Sequence, residues 1–230
     1  MNIYLKTFIG VTFFVGFIAA TFLWFEAEKE VRILCSMFQE GEQSKTVTRI
    51  LNTGNFLEYR QTEIKGNKTI LVDSPYTLGT SRCVVKLSSD KDVLSSQYSQ
   101  SFKLDKVAAW GGAAGLSGLV IFQLLLAAGF PLGKWAWGGK HKKLPAGLRF
   151  ASALSVPILL FGIIVLLEKA QLIHVFGKPQ LVDYSIWLFA ALFGLSILGN
   201  LNSESEAERK MGTPIALFLC YVYIIMGMAG

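Results

Sequence analysis

Apolar and polar positions are distributed unevenly along the chain. Five long apolar runs, roughly residues 7–25, 107–132, 148–167, 184–201 and 212–230, alternate with polar stretches of very different length. About 20 helical residues at 1.5 Å rise cover the ~30 Å hydrocarbon core of a bilayer, and each run is of that order. Lipid offers no partner to a backbone amide, so an open chain crosses it only as helix. The pattern predicts an integral membrane protein, an all-α bundle of five transmembrane helices. A small α+β domain, residues 26–106, is inserted between the first helix and the second. The expected division is a signal-anchor helix over 1–25, the α+β domain over 26–106 and a four-helix transmembrane bundle over 107–230.

Within the insertion the period changes. Val31, Leu34, Met37 and Phe38 recur at helical spacing and predict a helix from Glu26 to Gln39, stopped by Gly41. Ser44 is positioned to cap a second helix with Val47, Ile50 and Leu51 on one face and Gly54 as its stop. Four extended runs follow, at 56–64, 70–72, 82–87 and 93–98, with Lys65–Lys68 and Ser88–Asp92 as turns between the outer pairs.

Composition agrees with a membrane assignment. Of 230 residues 52% are hydrophobic and only 17% charged, too apolar a balance for an ordinary soluble domain. Lys6 before the first run and the pair Ala19–Ala20 within it resemble a cleaved signal peptide. The run is longer than such peptides use and Phe22, Leu23, Trp24 and Phe25 follow the small pair, which favours an uncleaved anchor.

Charge gives the orientation. Lys134, Lys140, Lys142, Lys143 and Arg149 crowd the loop after the second run with no acid among them, and Arg209 and Lys210 precede the last run. By the positive-inside rule these loops and the N-terminus are cytoplasmic, the C-terminus is outside, and residues 26–106 are extracytoplasmic. The expected location is the inner (plasma) membrane, as a multi-pass protein. The insertion carries twelve Lys/Arg against eleven Asp/Glu, so the net charge of +6 belongs to the membrane surface and is no nucleic-acid footprint.

Candidate chemistry is sparse. His141 and His174 are the only histidines and fall on opposite sides of the predicted membrane, and the insertion has none. This excludes a Ser-His-Asp or Cys-His arrangement there, and no phosphate-loop, nucleophile-elbow or zinc-protease motif occurs. No cofactor and no metal site is expected. Cys35 and Cys83 fall in the extracytoplasmic segment, where a disulfide is the simplest pairing and two buried thiols the alternative. Closing a loop of about 48 residues stabilises by roughly 4 kcal/mol on a chain-entropy argument. Cys220 in the last run reads as a packing residue.

The apolar runs lack ionisable residues away from their ends, which disfavours ion-coupled transport. Glu168, Lys169 and Asp183 fall at a boundary where water solvates them. Gln123 is the notable polar residue at depth, with an interhelical hydrogen bond as its ordinary role and a ligand contact as the other. Gly111, Gly115 and Gly118 form a small-residue face suited to packing within the chain, to a homo-oligomer or to a partner's helix. The loop GKWAWGGKHKKLP, residues 133–145, gathers Trp135, Trp137, His141, Lys142 and Lys143. It reads as an interfacial anchor, with a lipid-headgroup or partner site as the second reading. Glu204, Glu206, Glu208 and Arg209 fall on the same side of the membrane, where they are available to pair with these lysines and close that end.

Two resemblances bear on this. The segments AAGFPLGKWAWGGKHKKLPAGLRFAS (127–152) and LGNLNSESEAERKMGTPIAL (198–217), with Phe122-Gln123-Leu124, resemble an uncharacterised family of small bacterial four-helix membrane proteins. Its marks are a W/Y-G-G-x-H…L-P…LR loop and an N-x-x-S…E-R…P segment before the last helix. The likeness covers about half the chain and implies a four-helix bundle without implying an activity; the first helix and the insertion depart from it. The insertion, through EGEQSKTVTRIL and CVVKLSSDKDVLSSQY, resembles the two-helix, three-strand SmpA/BamE-like domains of bacterial envelopes, which implies protein docking. The expected function is therefore a non-enzymatic inner-membrane accessory protein. Besides the lipid bilayer, its expected partner is a membrane or periplasmic protein or a second copy of the chain. The alternative is a lipid- or small-molecule-handling protein, even an enzyme, that uses the Trp/His/Lys loop.

Overall fold

The computed structural model describes residues 3–64, 67–88, 90 and 92–229. The chain forms two compact units that divide between Lys103 and Leu104. The Lys65–Gly66 part of the expected first turn lies outside the described residues.

The first unit begins with helix α1, Ile3–Met37, which runs without a break from the first apolar run into the core of the unit. Helix α2 covers Ser44–Leu51. Strands β1 (Glu58–Ile64), β2 (Asn67–Asp73), β3 (Ser81–Leu87) and β4 (Val93–Gln100) form one antiparallel sheet in the order β1-β2-β3-β4. Alternation sets its buried face: Ser81, Cys83, Val85 and Leu87 of β3 are buried while Arg82 and Lys86 are exposed. Against that face lie Val31 and Cys35 of α1, Phe38 just beyond it, and Val47 and Leu51 of α2. Cys35 and Cys83 are joined by a disulfide that ties α1 to β3.

Several local expectations are corrected. The helix expected to reach Gln39 ends at Met37, which is exposed. Its buried stripe in this unit is Ala27, Val31 and Cys35, one turn apart on the sheet side, and Phe38 is buried just past its end. Ser44 is the first helical residue of α2. Gln43 occupies the cap position without a side-chain bond, its extended backbone bridging to Asp92. Gly54 lies beyond the cap residue Asn52, and its missing Cβ makes room for Leu57. The Glu30 carboxylate accepts from the backbone N–H groups of Asn55 (2.8 Å) and Phe56 (2.7 Å) and so fixes the entrance to β1. Burial pushes the Tyr98 phenol above its ordinary pKa.

The second unit is four helices: α3 (Leu104–Ala128), α4 (Ala146–Lys169), α5 (Pro179–Leu201) and α6 (Glu206–Met228). All four are long and apolar enough to cross a membrane. α3 packs on α4 and α6, and α5 on α4 and α6. Arg149 near the start of α4 donates to the Ala127 carbonyl at the end of α3, and Lys169 at the end of α4 pairs with Asp183 near the start of α5. Only four residues join α5 to α6, so consecutive helices are antiparallel. The end of the unit that holds Leu104, Lys169, Pro179 and Met228 is here called the far end, and the other the loop end.

Packing is concentrated toward the far end. Gly112 of α3 sits where a Cβ would come within 2.7 Å of Val222 Cγ1 and 2.8 Å of Leu166 Cδ1, so three helices meet at one glycine. The Tyr223 ring stacks on Phe189 and Phe193 at centroid distances of 5.1 and 5.7 Å. Lys169 pairs with Asp183 at 2.7 Å, and the Glu168 carboxylate accepts from the N–H groups of Val175 and Phe176. These boundary residues, expected to be solvated, instead bind one another and the α4–α5 loop, because helix ends leave backbone groups that need partners.

Candidate functional site

Residues 129–145 join α3 to α4 and contain two tight 3-10 turns, Gly133–Trp135 and Trp137–Gly139. The loop folds back on itself through the Gly133 N–H, which donates to the Lys142 carbonyl at 3.1 Å. A side chain at Gly133 would collide with the His141 carbonyl. Trp137, Gly138 and Gly139 follow one another at φ of 55, 80 and 68°, a left-handed stretch in which the glycine pair removes most of the steric cost.

The start of α6 holds this loop. Ser205 caps the helix by accepting the Glu208 N–H (3.3 Å) and donates its hydroxyl to the Lys134 carbonyl (2.6 Å). Glu208 Oε2 accepts the Gly138 N–H at 2.9 Å and the Ser203 hydroxyl. Trp137 Nε1 donates to Ser152 of α4 at 3.0 Å, and Lys140 pairs with Glu204 at 3.4 Å. The loop is thereby pinned to two helices.

Next to it lies a cavity of about 1080 Å³, at the large end of the range for small-molecule sites. Trp135, Ala136, Trp137 and Gly138 line its loop end, and all four helices contribute walls. On α3 the lining runs from Ala114 to Gln123, on α5 from Phe189 to Asn200, and on α6 from Glu208 to Phe218. About ten helical residues span roughly 15 Å, half of a hydrocarbon core.

The cavity is amphipathic. Phe189, Phe193, Ala216 and Phe218 make its inner end apolar, while Gln123, Asn200, Ser203 and Glu208 gather toward the loop. Gln123 Oε1 and Trp135 Nε1 are buried and have no hydrogen-bond partner. Among the described residues the Asn200 amide makes no hydrogen bond either; it packs against Gly212, whose absent Cβ would meet it at 2.9 Å. Ser155 and Ser196 return their hydroxyls to the backbone of their own helices.

The loop residues singled out in the sequence separate into two groups. Trp135 and Trp137 line the cavity. His141, Lys142 and Lys143 are exposed and do not, and Lys142 helps only through its backbone carbonyl. The glycine face separates as well. A Cβ on Gly111 would lie 3.5 Å from Phe218 and one on Gly115 3.3 Å from Leu219 and Phe218, so both pack within the chain on α6. Gly118 meets nothing within 4 Å and opens onto the cavity. The expected interhelical hydrogen bond of Gln123 is not made among the described residues, and its Oε1 is buried without a partner.

Sequence reasoning missed Gly112, Asn200 and Ser203 and gave Glu208 only a pairing role with the loop lysines. Of the pairs considered, only Lys140–Glu204 forms; Glu206 binds Lys210 within its own helix (2.7 Å) and Arg209 donates to the Ser203 carbonyl. A signal was nevertheless present: Asn200, Ser203 and Glu208 are the N, S and E of the N-x-x-S…E-R segment. Cys220 is a buried free thiol, 3.5 Å from the Ala190 carbonyl. No family model matches the chain, and no curated protein or solved structure is similar to it.

Proposed function

We propose that this chain is a multi-pass inner-membrane protein that holds a small lipid-like molecule in the loop-end half of its helical unit. In this reading α1 supplies a fifth span, the N-terminus and the Trp loop face the cytoplasm, and the sheet unit is extracytoplasmic. The carrying observation is the cavity of about 1080 Å³, apolar inside and polar at the loop. Trp135 and Trp137 then serve both earlier readings at once: they mark interfacial depth and wall the cavity, while the exposed lysines address the anionic lipid surface.

Mass spectrometry of the full chain released from mild detergent tests this. The wild type is expected to carry a bound amphiphile that Gly118→Leu, which projects into the cavity, loses without a fall in thermal stability. If both proteins release the same molecules in the same amounts, the reading is wrong.

A second reading, an accessory protein that docks an envelope partner through the sheet unit, draws on one observation. Leu78 is 82% exposed at a φ of 51°, on a turn whose base, Ser74 and Thr77, is fully buried. A rigid turn that presents an apolar tip suits contact with a second protein. A partner co-purified with the wild type and lost with Leu78→Asp supports it; a partner retained by that variant removes it.

A further inference from the structure

The charge inventory of the cavity restricts what enters it. Its lining includes one acidic side chain, Glu208, and no Lys, Arg or His. The cations nearby are held elsewhere: Lys140 by Glu204, Lys210 by Glu206 and Arg209 by the Ser203 carbonyl, while Lys134 lies over the Trp135 ring at 5.4 Å and does not line the cavity. A phosphate or carboxylate at the loop end would meet a carboxylate and no countercharge, in a space of low dielectric that magnifies the repulsion.

The same groups favour hydrogen-bond donors. Both bonds accepted by Glu208 fall on Oε2, so Oε1 takes none among the described residues. The Asn200 amide, which makes no hydrogen bond among the described residues, offers one more acceptor beside its own donors. Glu208 Oε1 and the Asn200 amide are open to the cavity, so a donor on the ligand head takes the place of water there.

Building on the function proposed above, we infer that the ligand is an amphiphile whose head carries a hydrogen-bond donor and no negative charge, an alcohol or an amine rather than a phosphate or carboxylate. Glu208 sets this preference and Asn200 receives the head, while the chain lies toward Phe189 and Phe193.

The test uses the full chain in nanodiscs and a diazirine-bearing tetradecyl alcohol as photoprobe. Competition is measured with tetradecyl chains that end in hydroxyl, amine, methyl ether or phosphate. Alcohol or amine is expected to displace the probe at concentrations at least tenfold below those of the ether and the phosphate, and the better of the two identifies a neutral or a cationic head. Glu208→Gln, which keeps a carbonyl for Gly138 and Ser203, should narrow the gap between alcohol and phosphate. Asn200→Asp, at an amide with no bond in the chain, should widen it. Phosphate competing as well as alcohol overturns this inference and leaves the cavity's role intact. Failure of the probe to label any lining helix overturns the function itself.

Discussion

The two ends of the helical unit use the same four helices to opposite effect. At the far end glycine brings helices together: Gly112 is filled by Val222 and Leu166, and Gly162 faces the Tyr223 hydroxyl and the Phe189 ring. Beside the cavity glycine leaves space, since Gly118 and Gly199 meet nothing within 4 Å and both line it, whereas Gly133, Gly139 and Gly212 at the same end are closely packed. Polar residues follow the division only in part, since the Tyr223 hydroxyl at the far end has no partner and Glu208 and Trp137 at the loop end are bonded. Lys169, Asp183 and Glu168 are paired or bonded to backbone at the far end, whereas Gln123, Asn200 and Trp135 Nε1 lack partners at the loop end. A residue type alone therefore does not say whether a helix face is sealed or open; the neighbouring helix decides.

Substitutions that exchange the two characters test the contrast. Tyr223→Ala removes the ring at the centre of the aromatic stack and is expected to cost about 3–5 kcal/mol, read as a large drop in melting temperature in detergent. Gly112→Leu overpacks a filled contact and should cost about 3 kcal/mol by the same measurement. Gly118→Leu, the same change two turns along α3, is expected to leave stability within about 1 kcal/mol, since helix propensity there favours Leu, while amphiphile binding falls at least tenfold. Equal destabilisation at the two glycines would mean that the loop end is as solid as the far end. Trp137→Phe should cost about 1 kcal/mol, the indole bond to Ser152, and loosen the loop in hydrogen exchange. Tyr223→Phe is expected to be neutral within about 0.5 kcal/mol, because its hydroxyl is buried without a partner.

The architecture was largely legible in the pattern of apolar runs. The last four runs coincide with α3 to α6, and the alternation after Phe56 gives the four strands, because both depend on period and length alone. The Cys35–Cys83 bond was expected on a different ground, a cysteine pair in a segment placed outside the cytoplasm, with two buried thiols as the alternative, and the pair is bonded. The cavity was not. Gly118 differs from Gly112 only in what the facing helices place opposite it, and Gln123 differs from a bonded core glutamine only in an absent partner. Neither property is local to the chain. The loop misled in a different way: His141 and the lysines are the residues that chemistry usually uses, yet Trp135, Trp137 and the Gly138 amide are the ones that reach the cavity.

Helix α1 carries a mechanical consequence. Its 35 residues make a rod of roughly 52 Å, and Cys35 sits about 15 Å beyond Phe25 on that same rod. The disulfide clamps the sheet to the rod, and no proline or break interrupts the helix between the clamp and the apolar run. A load placed on the sheet is therefore delivered to the apolar half of α1 as tilt or rotation about its long axis, with no joint in between to absorb it.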